Sequence, residues 1–233
     1  TIENLGSWRS TPLLIAITQR QNTGLRLHAT CALARPQFAR GPYVGQCRST
    51  LIRLTRDPSP RVREAAALGL GRFPSRRAVQ ALVGCLADTD IYVRLAAAAS
   101  LAGMKSREVR RQLRETAETG DSPARVAVWA VLAVSGDKKA AAQLAGERRN
   151  LLSVGDERFL ASLGFDKDRS VKVSSPSTEQ SPERAVKGVD PVLGEWYYRQ
   201  GQQLASLGIS ALASLAYRHS VESDPSRIDA KLS

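Results

Sequence analysis

The chain has 233 residues, of which 42% are apolar and 5% aromatic. It can therefore bury a core, and it favours helices over strands because strands prefer aromatic and β-branched side chains. Its formal net charge of +12 is uneven, since residues 1–120 hold 19 basic against 8 acidic side chains. This composition excludes a chain that is disordered throughout, and the basic first half indicates an acidic partner.

Few residues offer metal, disulfide or membrane chemistry. Cys31, Cys47 and Cys85 form no CxxC pair, which argues against a zinc site or disulfide framework and favours the cytoplasm or another reducing compartment. The only histidines are His28 and His219, so we expect no metal centre and no cofactor. The sequence has no apolar run of 18 residues and no signal-peptide pattern, so we expect no transmembrane segment.

A phrase of the sequence recurs after 31 residues. DPSPRVREAAALGLGRF, residues 57–73, is followed by DTDIYVRLAAAASLAGM, residues 88–104. The same step joins three further sets of positions: Arg63, Arg94 and Arg125; Ala66, Ala97 and Val128; Leu70, Leu101 and Leu132. An upstream series has the same period: Leu51, Leu82, Leu113 and Leu144. A fixed period of this length predicts stacked helical units.

Each unit is predicted to consist of a helix, a short turn and a second helix. The motifs DPSP (57–60), DTD (88–90) and DSP (121–123) supply capping oxygens and prolines for the start of the second helix. The pattern extends backwards if six extra residues lie within 35–46. It extends forwards to a degenerate fifth unit that ends near residue 165.

The combination of Asp, Val-Arg, Ala-Ala and Leu-Gly or Leu-Ala resembles the HEAT repeat family, and within it the short repeats of phycobilin lyases. The resemblance covers about residues 10–165. It implies an all-α fold, with residues 1–165 forming an α-solenoid of about five HEAT-like helical hairpins. It implies little about activity, because that family includes scaffolds, lyases, hydroxylases and nucleic-acid binders.

The rest of the chain breaks the period. We predict a flexible linker over 166–190, one long helix over 191–219 and a polar tail over 220–233. Because the chain begins at Thr1 and its one methionine is Met104, we also expect that an initiator or a longer leader has been removed.

The predicted C-terminal helix carries glycines seven residues apart and a broad apolar surface, so it needs a partner. That partner is the solenoid's own concave face, another protein chain or, less favoured for a segment with two cations, a membrane surface. The residues of this predicted docking helix are Gly194, Trp196, Tyr197, Tyr198, Gly201, Leu204, Gly208, Leu212 and Leu215.

The arginines fall into two groups. Those at the repeat position are predicted to pair with aspartates of neighbouring repeats, as in Asp57/Arg63, Asp88/Arg94 and Asp121/Arg125. The others either lie on a solvated face or bind anions, and the main candidates lie at or near the first helices of units. These candidates are Arg76, Arg77, Arg107, Arg110, Arg111 and Arg114.

In a solenoid the second helices line the concave surface that binds partners. Subtracting the inward positions predicts an outward stripe that changes from charged to apolar. Its residues are Arg61, Glu64, Leu68, Arg72, Tyr92, Leu95, Ala99, Val126, Ala130 and Val134. The alternative is a phase error that would make these residues part of the core.

The sequence contains no recognisable nucleophile, phosphate-binding or metal motif, so we expect no enzymatic activity. The favoured function is a scaffold or assembly adaptor that binds a protein partner within a larger complex through the concave surface, with the C-terminal helix as an anchor. The first alternative is a nucleic-acid-binding protein that uses the arginine-rich first half. The second is a subunit similar to a bilin lyase.

Overall fold

A computed structural model describes residues 8–119, 122–147, 154–165, 190–206 and 210–226. Throughout these ranges the regular structure is helical, and no strand occurs in them. The chain divides into two compact units, residues 1–156 and 157–233. The predicted all-α class is confirmed.

The described part of the first unit consists of short helices joined by tight turns. They are α1 Thr11–Ile17, α2 Thr23–Leu33, α3 Val44–Leu54, α4 Pro60–Leu70, α5 Arg76–Cys85, α6 Ile91–Gly103, α7 Arg107–Thr119, α8 Ser122–Val134 and α9 Lys138–Glu147, followed by α10 Val154–Ser162, which crosses the unit boundary. A 3-10 helix, Pro36–Ala39, lies within the segment predicted to hold extra residues. The helices alternate as first and second members of successive pairs.

The helices begin where the sequence supplies capping groups. The Asp90 side chain accepts hydrogen bonds from the backbone N–H groups of Tyr92 and Val93 at the start of α6. Proline occupies the first position of α4, where a missing N–H costs nothing. The predicted turns at 57–60 and 88–90 are confirmed, whereas Asp121 lies outside the described residues.

The second helices pack against one another as well as against the first helices. Helix α4 contacts α2, α3, α5 and α6. The Ser100 hydroxyl of α6 donates to the carbonyl of Ala67 in α4 at 2.8 Å, a close approach that small side chains permit. These contacts make the first unit an α-solenoid, in which the core continues from one helix pair to the next.

The second unit contains a helical hairpin where one long helix was predicted. Helix α11 Pro191–Ser206 packs along α12 Ser210–Ser223. The expectation of a single helix over 191–219 is wrong, and the predicted polar tail begins inside α12. The linker predicted over 166–190 lies outside the described residues except for Asp190, and the domain boundaries predicted around it stay predictions.

The glycine spacing in α11 has a clear structural cause. A Cβ added to Gly201 would lie 2.6 Å from the ring of Tyr217, and one added to Gly194 would lie 2.6 Å from the Cβ of Asp224. The Ser220 hydroxyl donates to the Gly194 carbonyl at 2.8 Å. The predicted close approach of a second backbone is therefore confirmed at Gly194, where that backbone belongs to the same chain, whereas at Gly201 the space is filled by the ring of Tyr217.

The three cysteines provide a test of the solenoid core. Cys31, Cys47 and Cys85 are all buried, and burial raises the pKa of the Cys47 thiol and raises that of Cys85 to about 11. We expect all three thiols of the native protein to react with a disulfide reagent at pH 8 at least about 100-fold more slowly than in the unfolded chain, because only the accessible thiolate reacts. The absorbance of the reagent's product, followed over time without denaturant and at unfolding denaturant concentrations, gives the two reaction rates.

The same thiols set a direction for alkaline stability. As the pH rises above about 9, thiols of the unfolded chain ionise while folded Cys85 keeps its proton. The folded state then binds more protons than the unfolded state, so the free energy of unfolding should fall between about pH 9 and pH 11. Rapid labelling of the folded protein at pH 8 would contradict this account.

Candidate interaction surface

Arginine–aspartate pairs, one buried and one half-buried, connect successive repeats at the turns between paired helices. Arg26 of α2 donates from Nε to Asp57 Oδ2 at 2.9 Å and from Nη2 to Asp57 Oδ1 at 3.0 Å. Its Nη1 donates to the backbone carbonyls of Arg20 and Gln21 in its own turn. One guanidinium therefore joins two adjacent turns, and its hydrogen bond with Asp57 raises the pKa of Arg26.

The next repeat has the same arrangement. Arg63 of α4 donates to both carboxylate oxygens of Asp88 at 2.8 Å, and its Nη1 donates to the carbonyls of Asp57 and Pro58. The hydrogen bond with Asp88 raises the pKa of Arg63. Each aspartate also accepts from a backbone N–H two residues later, namely Ser59 and Asp90. We call these two bidentate pairs the arginine–aspartate ladder.

The ladder confirms that aspartates and arginines of neighbouring repeats pair with each other. The particular pairs predicted as Asp57/Arg63 and Asp88/Arg94 are wrong, because Arg63 binds the carboxylate of Asp88 and reaches only the backbone carbonyl of Asp57. The direction of the pairing was not evident from the sequence, since each arginine pairs with the aspartate of the following repeat. Further along, Arg94 contacts Asp156 at 3.5 Å and Arg125 contacts Glu147 at 3.1 Å, both longer and less buried than the ladder pairs.

The predicted outward stripe on the second helices is largely buried. Only Leu68, Arg72, Tyr92 and Val134 retain intermediate exposure. The prediction that the other residues face outwards is wrong because second helices have neighbours on both sides, so positions beside the inward stripe are covered too. These buried residues are Arg61, Glu64, Leu95, Ala99, Val126 and Ala130.

The predicted docking surface of the C-terminal helix is also buried where the structure describes it. Trp196, Tyr197 and Leu204 are at most 6% exposed, and the half-buried Tyr198 packs its ring at a tilt against that of Tyr217 of α12. Gly208 and the side chains of Leu212 and Leu215 lie outside the described residues. The apolar character of this segment therefore serves the hairpin, so its partner is α12, which was not among the partners predicted.

The six predicted anion-binding arginines differ in their surroundings. Arg111 forms ion pairs with Glu108 and Glu115, and Arg114 forms one with Asp137, so their charges are already compensated. Arg76, Arg77 and Arg107 are exposed, and Arg110 is half-buried. The Arg114 side chain also holds the pKa of Asp137 below its usual value. Helix α7 is consequently a mixed-charge surface.

Residues 8–87 present a different electrostatic surface. Their only acidic residues, Asp57 and Glu64, are 8% and 4% exposed. Exposed arginines nevertheless occur along the whole segment, and we call this set the arginine surface. It consists of Arg9, Arg20, Arg40, Arg53, Arg56, Arg76 and Arg77. The absence of exposed carboxylates could have been read from the sequence once the two acidic positions were assigned to the core.

The ladder fixes part of this surface in place. Arg26 ties the turn that contains Arg20 to the turn that contains Asp57, which follows Arg56 directly. Arg53 of α3 donates to the Thr18 hydroxyl, at the end of α1, at 2.8 Å. Arg20, Arg53 and Arg56 are therefore held on one edge of the solenoid, and we call them the turn-edge cluster.

Large exposed apolar side chains accompany the arginines. Trp8, Leu13 and Leu25 are 42%, 56% and 51% exposed, and they are the exposed large hydrophobic residues in the described ranges. All lie within the first third of the solenoid, and Leu25 is in the first turn of α2, directly before Arg26 of the ladder. This end of the chain thus combines positive charge with exposed apolar area.

These features define a helical repeat protein that carries a basic surface with exposed apolar side chains in residues 8–87. Residues 10–101 match the family model for HEAT repeats, in agreement with the resemblance seen in the sequence. Proteins with HEAT repeats are typically scaffolds for protein interactions. No helix in the described ranges combines the length and apolar character needed to cross a membrane.

Comparison with solved structures gives a more distant likeness. A chain from the complex of CpcE and CpcF of phycocyanin lyase from Nostoc sp. PCC7120 is 18% identical, with 95% of this chain and 91% of that chain covered. The TM-score of 0.42 is too low for the likeness to bear on function. Comparison with curated proteins gave no match.

Proposed function

We propose that this chain is a non-catalytic scaffold that binds a protein partner. The observation that carries the proposal is the arginine–aspartate ladder. Its buried charged groups satisfy one another and the turn carbonyls, so they hold the repeats in register. A stack fixed in this way offers an extended, rigid surface, which binds a partner at a low entropic cost.

The partner surface in this proposal is the exposed side of the repeats. The outward stripe predicted on the second helices supplies little exposed area, because most of its residues are buried. The exposed charge and apolar area instead lie along residues 8–87. Interfaces rich in arginine and aromatic or aliphatic anchors are typical of protein–protein contacts.

A pull-down from the native source tests the scaffold proposal. The tagged full chain is crosslinked in cells, captured and analysed by quantitative mass spectrometry, with half of each lysate treated with nuclease. We expect at least one protein to be recovered in an amount comparable to the chain itself, unaffected by nuclease. The tag alone is the control. Recovery of no protein above that control, or its loss with nuclease, would reject the proposal.

Nucleic-acid binding is the second candidate, and one observation favours it: residues 8–87 contribute exposed arginines but no exposed carboxylate of their own. Two features weigh against it. Single strands need aromatic stacking platforms, and Phe38 and Phe73 are buried while Trp8 and Tyr43 are 6.1 Å apart and cover one another in part. In addition, phosphate backbones offer no complement to Leu13 and Leu25.

A further inference from the structure

We propose that the turn-edge cluster, Arg20, Arg53 and Arg56, together with Leu25, binds an acidic segment of a partner protein that also carries apolar side chains. This inference rests on the scaffold function proposed above and names the chemistry of the partner. It is carried by the placement of three exposed cations on one edge, next to exposed apolar area.

The positive charges of the turn-edge cluster raise the free energy of the unbound protein as well as attracting an anionic partner. Three arginines on one edge repel one another, and within residues 8–87 both carboxylates are buried, where Asp57 already neutralises Arg26. Arg111 on α7, in contrast, has two glutamates within 3 Å. Within residues 8–87 no exposed carboxylate compensates this edge, and a polyanion that binds there relieves the repulsion.

The rigidity of the edge determines what kind of contact it can make. The ladder joins the turn of the first repeat to that of the second through Arg26 and Asp57. Arg53 is positioned further by its hydrogen bond to Thr18. Guanidinium groups bind carboxylates in a bidentate geometry, so three guanidinium groups carried on fixed turns favour correctly spaced acidic side chains over diffuse negative charge.

The exposed leucines of the first two helices favour an acidic protein over a nucleic acid as the partner. Leu25 is 51% exposed and Leu13 is 56% exposed, so a partner gains free energy by covering them. An acidic protein segment supplies carboxylates and apolar side chains together, whereas a sugar–phosphate backbone supplies only charge. A partner helix of about 16 residues would extend roughly 24 Å, enough to cross two repeats.

The test measures binding of the full chain to four fluorescein-labelled probes by anisotropy, at about 50 mM and about 200 mM salt. The first probe is an amphipathic glutamate–leucine peptide of about 16 residues, and the second is the same peptide with each leucine replaced by glutamine. The others are a random DNA duplex and a single-stranded RNA of equal charge. We expect the first peptide to bind most tightly and every affinity to fall with salt.

Matched variants locate the contact. Arg20→Gln/Arg53→Gln/Arg56→Gln should weaken binding of the amphipathic peptide about tenfold, as loss of three exposed charge pairs implies. Lys105→Gln/Lys138→Gln/Lys139→Gln removes the same charge from exposed positions outside residues 8–87 and should change it less than about twofold. Leu25→Ser should weaken the amphipathic peptide and leave the leucine-free peptide unchanged. Circular dichroism confirms that each variant is folded.

Several outcomes would overturn the inference. Equal losses in the two triple variants would mean that net charge, not the edge, attracts the peptide. Tighter binding of duplex or RNA, lost in the arginine variant, would reassign the edge to nucleic acid. If the cellular pull-down recovers its partner undiminished with the arginine variant, the scaffold function stands and the inference fails. If the wild-type pull-down recovers nothing while the peptide still binds, only the scaffold function fails.

Discussion

Asp57→Ala is expected to lower the free energy of unfolding by about 3–5 kcal/mol, because it removes one partner of a buried ion pair. The Arg26 side chain is only 11% exposed, so its guanidinium would be left without a carboxylate in a poorly solvated site. The backbone N–H of Ser59 would lose its acceptor as well. Urea unfolding followed by circular dichroism at 222 nm measures the change.

Three controls separate the buried charge from other effects of the substitution. Asp57→Asn retains an acceptor for Ser59 and should be less destabilising than Asp57→Ala. Arg111→Ala breaks two exposed ion pairs and should leave unfolding unchanged within error. The double variant Arg26→Ala/Asp57→Ala should lose markedly less free energy of unfolding than the two single variants added together, because no unpaired buried charge remains. Strict additivity would mean that the ladder does not couple the repeats.

The repeated elements of the fold were predictable because their local chemistry is sufficient to define them. Asp90 caps α6 through its own side chain, and Pro60 fixes the start of α4. Such signals act over three or four residues, so they survive in any context and recur at the repeat spacing. The partner of each ladder arginine was harder to predict, since Asp57 is much nearer to Arg63 along the chain than Asp88 is, yet the side chain of Arg63 binds the carboxylate of Asp88.

The hairpin of the second unit shows why a correct signal can yield a wrong element. Glycines at 194 and 201 indicate that a backbone packs closely against that face of the helix, whether the backbone is part of the same chain or of another. The pattern predicts one continuous helix whose partner is the solenoid, another chain or a membrane, but α12 occupies that face. Distinguishing the cases requires knowing where the helix ends, and helix ends are the least certain feature of a sequence pattern.

The buried outward stripe has a related cause. Helical periodicity separates an apolar face from a polar one, but alanine and glycine satisfy either assignment. In α6 the residues from Leu95 to Leu101 are all buried, since α4 lies on one side and α8 on the other. A helix with small side chains on all of its faces is therefore typical of the centre of a stack. The exposed surface then lies on other helices and turns.

Gly69→Ala is expected to destabilise the solenoid by about 1–3 kcal/mol through overpacking. A Cβ at this position would lie 2.7 Å from the Cβ of Ala34 and 3.3 Å from Leu51 Cδ1. Ala34 is attached rigidly to the chain at the end of α2, so it cannot rotate away. The penalty should exceed the gain of about 0.5–1 kcal/mol that alanine brings in a helix interior.

Two matched variants make the packing argument quantitative. Gly84→Ala in α5 meets nothing within 4 Å, so the same chemical change should raise the free energy of unfolding by about 0.5 kcal/mol. The double variant Gly69→Ala/Ala34→Gly keeps one methyl group between α2 and α4, so it should recover most of the lost free energy of unfolding. Urea unfolding measures the change in each variant. If Gly69→Ala were as stabilising as Gly84→Ala, the two second helices could not be in direct contact. The continuous core of the stack would then need another explanation.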